Sequence, residues 1–277
     1  MTDRYAVIGN PISHSKSPEI HTMFSEQFKG KPAGDMVYKD RILAPLDGFA
    51  ATVQRLREKG YKGCNVTVPF KFEAFRLATQ LTVHADVAQA VNTLKLNFDG
   101  DIILGDNTDG TGLVGDIRFN LGITLNNRRV LLVGAGGAAY GVALPLGHQG
   151  VKLTIVNRTV NKAQVLASIS NRFFDSISGH GFDEIANQQF DVVINATSAG
   201  LTDSALPLPP TIFAPGALAY DMMYGRETPF MKFAREHGAA VVSDGLGMLV
   251  EQAAESFFLW RGVRPDTAPV IAKLRLP

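Results

Sequence analysis

Short apolar, β-branched runs alternate with segments of helical period along the whole chain. That alternation is the signature of an α/β protein with largely parallel sheets. In the first part, strands are predicted over 5–9, 36–43, 63–68, 90–96 and 102–105. Ile20, Met23, Phe24 and Phe28 fall at i, i+3, i+4 and i+8, so a helix is expected from Ser17-Pro18, with the serine as N-cap and the proline in the first turn. A second helix covers about 46–59 and stops at Gly60; a third carries Leu113, Val114, Ile117 and Leu121 and closes at Gly122. After Asn126-Asn127 the texture changes. An apolar run over 130–133 enters Gly134-Ala135-Gly136-Gly137-Ala138-Ala139 and a helix, and further strands are predicted over 152–156, 191–196, 218–222 and 239–242. This is the rhythm of a doubly wound nucleotide-binding domain. A last helix over about 246–261 places Leu249, Ala253, Phe257 and Trp260 on one side. No repeat or Pro/Gly/Ser linker separates the halves, so ordered elements are expected to join them.

Composition narrows the classes. With 277 residues, 45% of them hydrophobic, the chain has room for two domains with cores of their own and is no disordered tail. Its net charge is +1 and no run of five like charges occurs. A nucleic-acid binder would carry a basic excess or stripe, so no nucleic-acid partner is expected. The single cysteine, Cys64, excludes an intramolecular disulfide, and the six histidines lack paired metal-ligand spacing; no metal is expected. Residues 130–151 are uncharged and long enough to cross a bilayer. Their six glycines, Pro145, His148 and Gln149 instead read as strand, turn and helix. No membrane partner is therefore expected, and the absence of a basic segment followed by an apolar run at the N-terminus predicts a cytoplasmic location. Glycine is in surplus, 27 of 277 residues, which predicts several places where the backbone comes close to another group.

Several stretches carry candidate chemistry. Gly134-x-Gly136-x-x-Ala139 follows a predicted strand and opens a helix, the context of a dinucleotide-binding turn. The next strand ends in Asn157-Arg158-Thr159, with Lys162 following, where an NAD-binding chain would carry an acidic residue for the ribose hydroxyl. Arg158 can pair with a 2′-phosphate, so NADP is the expected cofactor. Ser13, Ser15 and Ser17 precede a helix and suit a carboxylate; Ser17 can equally be a plain helix cap. In Asn65-Val66-Thr67-Val68-Pro69-Phe70-Lys71, Asn65 and Thr67 alternate along a strand and Lys71 falls in the first turn of the next helix, a candidate proton carrier. The loop Asp106-Asn107-Thr108-Asp109-Gly110 lacks a calcium-loop pattern, and one of its aspartates is expected to cap the following helix.

Taken in order, Ser-x-Ser-Pro at 15–18, Asn-Val-Thr-Val-Pro-Phe-Lys at 65–71, Ala-Val-Asn-Thr at 90–93, Gly-Asp-Asn-Thr-Asp-Gly at 105–110, Gly-Ala-Gly-Gly-Ala at 134–138, Asn-Arg-Thr at 157–159, Asn-Ala-Thr-Ser at 195–198 and Asp-Gly-Leu-Gly-Met-Leu at 244–249 resemble the shikimate dehydrogenases over nearly the whole chain. The resemblance implies an α/β substrate domain with a mainly parallel sheet, formed by 1–108 and completed by C-terminal helices in 245–277, and an inserted Rossmann-like NADP domain over 109–244. It implies reversible reduction of 3-dehydroshikimate to shikimate with NADPH, in the route to chorismate and the aromatic amino acids, by a monomer or homodimer. Lys71 and Asp109 then correspond to the catalytic pair. Ser15 and Ser17 would hold the substrate carboxylate, with Tyr224 near it. Asn65, Thr67, Asn92 and Gln252 would bind the ring hydroxyls. Gly134, Ala135, Gly136, Gly137, Ala138, Asn157, Arg158, Thr159 and Lys162 would hold the cofactor, with Thr197, Met222 and Gly245 near its nicotinamide. Lys162 stands where many members have arginine, which keeps the charge without a bidentate fork. A quinate/shikimate dehydrogenase with relaxed use of NAD, a methylenetetrahydrofolate dehydrogenase and a non-catalytic NADP-binding protein are the alternative readings. Arg158 speaks against the first, the Ser15/Ser17 pair against the second, and Lys71 with Asp109 against the third.

Overall fold

A computed structural model describes residues 2–96, 101–201 and 203–276. The chain packs as two compact units, Met1–Gly112 with Val250–Pro277, and Leu113–Leu249. The first unit opens with β1 (Asp3–Gly9), α1 (Ser17–Gln27), β2 (Met36–Leu43), α2 (Phe49–Glu58), β3 (Tyr61–Val66) and α3 (Lys71–Leu77). It continues with β4 (Gln80–Leu81), α4 (Val83–Ala88), β5 (Thr93–Leu96), β6 (Ile103–Asp106) and the start of α5 (Asp109–Gly115). Its sheet has the order β2-β1-β3-β5-β6-β4. β1 runs parallel to β2 and β3, and β4 parallel to β6, whereas β5 is antiparallel to both of its neighbours.

The second unit holds β7 (Arg129–Val133), α6 (Gly137–Gly147), β8 (Lys152–Val156), α7 (Val160–Ser170), β9 (Ile177–His180), β10 (Phe190–Asn195), β11 (Phe213–Asp221), α8 (Pro229–Glu236) and β12 (Val241–Ser243). All its strands are parallel, in the order β12-β11-β10-β7-β8-β9. Counted within the sheet, that is the doubly wound dinucleotide-binding order, reversing between β7 and β10. The apolar run of β7 is buried on both faces, as a parallel strand requires. Val130 and Leu132 enter one core and Leu131 and Val133 the other, by the two-residue alternation of a strand. Helix α9 (Leu246–Arg261) then leads back to the first unit, where α10 (Ala268–Arg275) ends the fold. The unit boundaries fall inside α5 and α9, a few residues beyond the expected 108/109 and 244/245, because both helices run on without a break.

Several expectations change in detail. Ser17 is not an N-cap: Lys16 occupies that place, and Ser17 and Pro18 are the first helical residues. The Ser17 N–H is instead taken by Ser15 Oγ at 3.3 Å. The strand expected from 90 starts only at Thr93, because the Val91 and Asn92 N–H groups bond Lys71 O and Asp106 O. No aspartate caps α5; the Asp109 N–H bonds Asn107 Oδ1 at 3.2 Å. The helix expected around 113–121 begins earlier, at Asp109, and widens into a π-helical turn over Asp116–Asn120 before Gly122. Strands β4 and β9 carried no clear pattern. Among the described residues, no helix is long and apolar enough to cross a membrane, and no group of three or more His, Cys, Asp or Glu residues could hold a metal ion.

The first unit buries Ala6, Ile8, Val53, Cys64, Val66 and Leu94 under α2 and α3. On the other side its C-terminal segment completes the packing. Trp260 of α9 stacks on Tyr5 with ring centroids 4.6 Å apart and donates Nε1–H to Leu94 O at 3.0 Å. Farther up α9, Gly112 meets Gln252 so closely that a Cβ would lie 2.7 Å from Gln252 N. An alanine inside a helix ordinarily stabilises by about 1 kcal/mol over glycine, but overpacking against backbone costs about 1–3 kcal/mol. Gly112→Ala is therefore expected to lower the urea midpoint of unfolding; a raised midpoint would contradict this close approach.

Candidate active site

The first unit gathers most of the polar residues singled out from the sequence. Lys71 is the first residue of α3 and Asp109 the first of α5. Their side chains meet, Lys71 Nζ to Asp109 Oδ2 at 2.5 Å, with Lys71 28% and Asp109 12% exposed. The other carboxylate oxygen, Oδ1, accepts from Asn92 Nδ2 at 2.8 Å. The orientation of the Asn92 amide is not open to a flip. Its Oδ1 accepts from the Thr108 backbone N–H at 3.0 Å, a group that can only donate, so its nitrogen must face Asp109. Gln252, buried on α9, reaches the same cluster through Oε1, 3.4 Å from Asn92 Nδ2 and from Thr108 Oγ1. At the far end, Ser15 and Ser17 stand with hydroxyls 3.2 Å apart. The Ser15 carbonyl is held by Arg41 Nε at 2.9 Å, and Arg41 also grips Glu19.

Asn65 and Thr67 are placed differently from the rest. Asn65 is buried, and its amide is already met from within the protein. Its Oδ1 accepts from Tyr38 Oη at 2.8 Å and lies 3.1 Å from His21 Nε2, while its Nδ2 donates to Ser256 Oγ at 3.0 Å and Thr93 Oγ1 at 3.2 Å. An amide oxygen takes two bonds and an amide nitrogen gives two, so all four are in use. Thr67 lies just past β3, half-buried, with its N–H on Ile8 O.

Tyr38, His21, Thr93, Thr108 and Ser256 complete this cluster, with no role for their side chains expected from the sequence. The readable signals were thin: Ser256 follows Gln252 by one helical turn, and Thr93 adjoins Asn92. His21 is fully buried, stacked on Tyr38 with centroids 4.3 Å apart. Burial pushes its imidazole down to about 3, against a smaller upward pull from the Asn65 bond. Burial also holds the Tyr38 phenol well above its ordinary range.

The second unit holds the residues expected around the cofactor. Gly134 follows β7 with φ +112°, a conformation side chains rarely adopt, and a Cβ there would lie 3.1 Å from Thr197. Gly136 is the N-cap of α6, and the place of its absent Cβ meets no protein atom within 4 Å. A bare glycine before the first N–H groups of an 11-residue helix leaves room for an anion. The loop after β8 presents Asn157, Arg158 and Thr159, with Lys162 exposed on α7; Asn157 Nδ2 braces this loop on Thr159 O at 3.0 Å. No carboxylate stands there, so the residues present fit a dinucleotide with a phosphorylated ribose. Thr197 and Met222 share one anchor: Asn195 Oδ1 accepts from Thr197 Oγ1 at 2.7 Å, and Asn195 O accepts from the Met222 N–H at 3.0 Å. Gly245 packs against Met222, its N–H on Met223 O at 2.8 Å. Tyr224 belongs to this same unit, on the loop between β11 and α8, and burial raises its phenol.

Comparison with known proteins decides the family. Over 274 residues the chain is 60% identical to the shikimate dehydrogenase (NADP(+)) of Methylobacillus flagellatus, covering 99% of both chains. The chain belongs to the shikimate dehydrogenase family. Residues 7–94 match the family model of the shikimate dehydrogenase substrate binding domain, residues 117–202 that of shikimate / quinate 5-dehydrogenase, and residues 245–275 that of the shikimate 5'-dehydrogenase C-terminal domain. Among solved structures, an Ael1 enzyme from Pseudomonas putida superimposes with a TM-score of 0.91 at 46% identity over 99% of each chain. The shikimate 5-dehydrogenase of Thermus thermophilus, in complex with NADP(H) and shikimate, gives 0.84 at 30% identity, over 99% of this chain and 98% of that one.

His21 has a consequence for stability. Its folded pKa lies below the unfolded value of 6.5, at about 3. Between those values the unfolded chain binds a proton that the folded chain refuses, so this contribution is complete above the upper value and is lost as pH falls. The slope reaches about 1.4 kcal/mol per pH unit. In urea titrations across this window, His21→Gln is expected to show a shallower acid loss than the unaltered protein. Parallel curves would contradict a neutral buried imidazole.

Proposed function

We propose that Lys71 and Asp109 carry the proton in an NADP-dependent interconversion of 3-dehydroshikimate and shikimate, within the shikimate pathway. The observation that carries this reading is the Lys71–Asp109 pair, 2.5 Å apart and flanked by Asn92. Bound NADP(H) supplies the hydride. In the reducing direction Lys71 Nζ donates a proton to the C3 carbonyl oxygen; in the oxidising direction it takes the C3 hydroxyl proton back. Asp109 holds the amine group in place and offers an acceptor to the same hydroxyl, while Asn92 fixes which carboxylate oxygen faces Lys71. Ser15 and Ser17 bind the substrate carboxylate through paired hydroxyls, with Tyr224 as a further contact. Thr67, Asn92 and Gln252 receive the ring hydroxyls. Arg158, Thr159 and Lys162 meet the ribose phosphate, and the turn over 134–138 receives the pyrophosphate. A cytoplasmic location is part of this reading, in keeping with a chain whose single cysteine, Cys64, is free and buried.

Lys71→Ala is expected to lower kcat for shikimate oxidation by roughly 10²–10⁴, the usual effect of removing a proton-transfer group, with a smaller change in KM. The check is the rate of NADPH appearance by absorbance, and near-normal turnover would sink the assignment. Arg158→Glu is expected to raise KM for NADP by roughly 10- to 100-fold, as for loss of charge-assisted hydrogen bonds, while improving relative use of NAD. Steady-state kinetics with each cofactor decide it; an unchanged preference would place cofactor choice elsewhere.

A further inference from the structure

A continuous hydrogen-bonded line runs through the first unit, from Tyr38 to the proton-transfer pair. The Tyr38 hydroxyl donates to Asn65 Oδ1 at 2.8 Å. Asn65 Nδ2 donates to Ser256 Oγ at 3.0 Å and to Thr93 Oγ1 at 3.2 Å, and these two hydroxyls lie 2.7 Å apart. Thr93 Oγ1 bonds Asn92 Oδ1 at 2.9 Å, and Asn92 Nδ2 reaches Asp109, which holds Lys71. The line depends on which way the Asn65 amide points. Were it flipped, its nitrogen would face Tyr38 and His21, and its oxygen the two hydroxyls.

His21 and Tyr38 exclude the flip together. His21 Nδ1 is buried without a hydrogen-bond partner. A buried N–H left unpaired is costly, so the single proton of the neutral ring sits on Nε2 and points at Asn65 Oδ1, 3.1 Å away. Tyr38 adds a second donor to the same oxygen. Stacking of the two rings, 4.3 Å apart at 8°, holds both donors in register, and Phe24, Phe257 and Trp260 close around His21. A wedge of aromatic rings thus presents two hydrogens to one amide oxygen.

We propose that His21 and Tyr38 are positioning residues for the reaction: they lock the Asn65 amide, and through it the Thr93/Ser256 hydroxyls and Asn92, so that Asn92 and the Asp109 carboxylate it meets keep one fixed arrangement in the substrate site. The inference rests on the proton-transfer reading given above. It assigns Asn65 the part of an internal node rather than a direct ligand of a ring hydroxyl. Neither positioning residue touches the cofactor side of the fold, so their loss reads out on shikimate alone.

The test compares Tyr38→Phe, His21→Leu and His21→Gln with the unaltered protein, each checked for its thermal midpoint. Tyr38→Phe keeps the stacked ring and removes only the hydroxyl. It is expected to lower kcat/KM for shikimate about 3- to 10-fold, mainly through KM, as for loss of one buried hydrogen bond. The KM for NADP stays unchanged. His21→Leu is expected to do the same, and His21→Gln, whose amide N–H reaches the place of Nε2, to recover to within about twofold. Folded Tyr38→Phe with unaltered kinetics would overturn the proposal. If Tyr38→Phe does not fold, the histidine pair decides, and equal activity of His21→Leu and His21→Gln overturns it. Failure of the unaltered protein to oxidise shikimate would sink the proton-transfer reading itself, whereas an active protein with insensitive variants sinks only this inference.

Discussion

An ammonium and a carboxylate 2.5 Å apart in a mostly enclosed place impose demands on everything around them. Desolvating each ion costs several kcal/mol, and attraction offsets this only when the remaining lone pairs and protons are also satisfied. Asp109 meets that demand with Lys71 on one oxygen and Asn92 on the other. Asn92 is in turn fixed by a backbone N–H of the loop that leads into α5. The pair is thus held by elements far apart in sequence, and its geometry is inseparable from the packing of α3, β5 and α5.

The second unit uses a related device for another purpose. Asp221 is fully buried at the end of β11, where its carboxylate accepts from Asn195 Nδ2, from Thr228 Oγ1 and from the Met223 N–H. One carboxylate therefore shapes both the loop after β10 and the loop after β11, the two that carry Thr197, Met222 and Tyr224. In each unit a buried acid is surrounded by committed donors. In the first it is paired with a lysine; in the second it holds two neighbouring loops through two side chains and one backbone N–H.

The parts legible in the sequence were those in which a local signal and a chemical need coincide. The glycine turn after an apolar strand, the basic loop after the next strand and a lysine opening a helix all stand on short contiguous strings. The parallel rhythm of the second unit was likewise visible, because a strand buried on both faces leaves an unbroken apolar run. What escaped was long-range. Tyr38 and His21 lie 17 residues apart, on β2 and α1, and only the folded unit brings them to one amide. The antiparallel placement of β5 depends on how the chain returns, which no residue pattern encodes. Ser17 is not the cap its local pattern suggests, because Ser15 Oγ takes its N–H and Lys16 stands at the N-cap. Asn65 was recognised as important, but its neighbours, not its own chemistry, determine where its hydrogen bonds go.

The order in which the chain is made bears on the first unit. Gln252, Ser256 and Trp260 all lie in α9, after the whole of the second unit. At typical synthesis rates, the 137 residues of Leu113–Leu249 occupy the ribosome for roughly 7–27 s. During that time the nascent N-terminal sheet lacks the indole that covers Tyr5 and the hydroxyl that meets Asn65. The inserted unit is contiguous and has its own core, so it can close first. Lys71 and Asp109 therefore reach their finished surroundings only after α9, which follows the whole of the inserted unit, has been made.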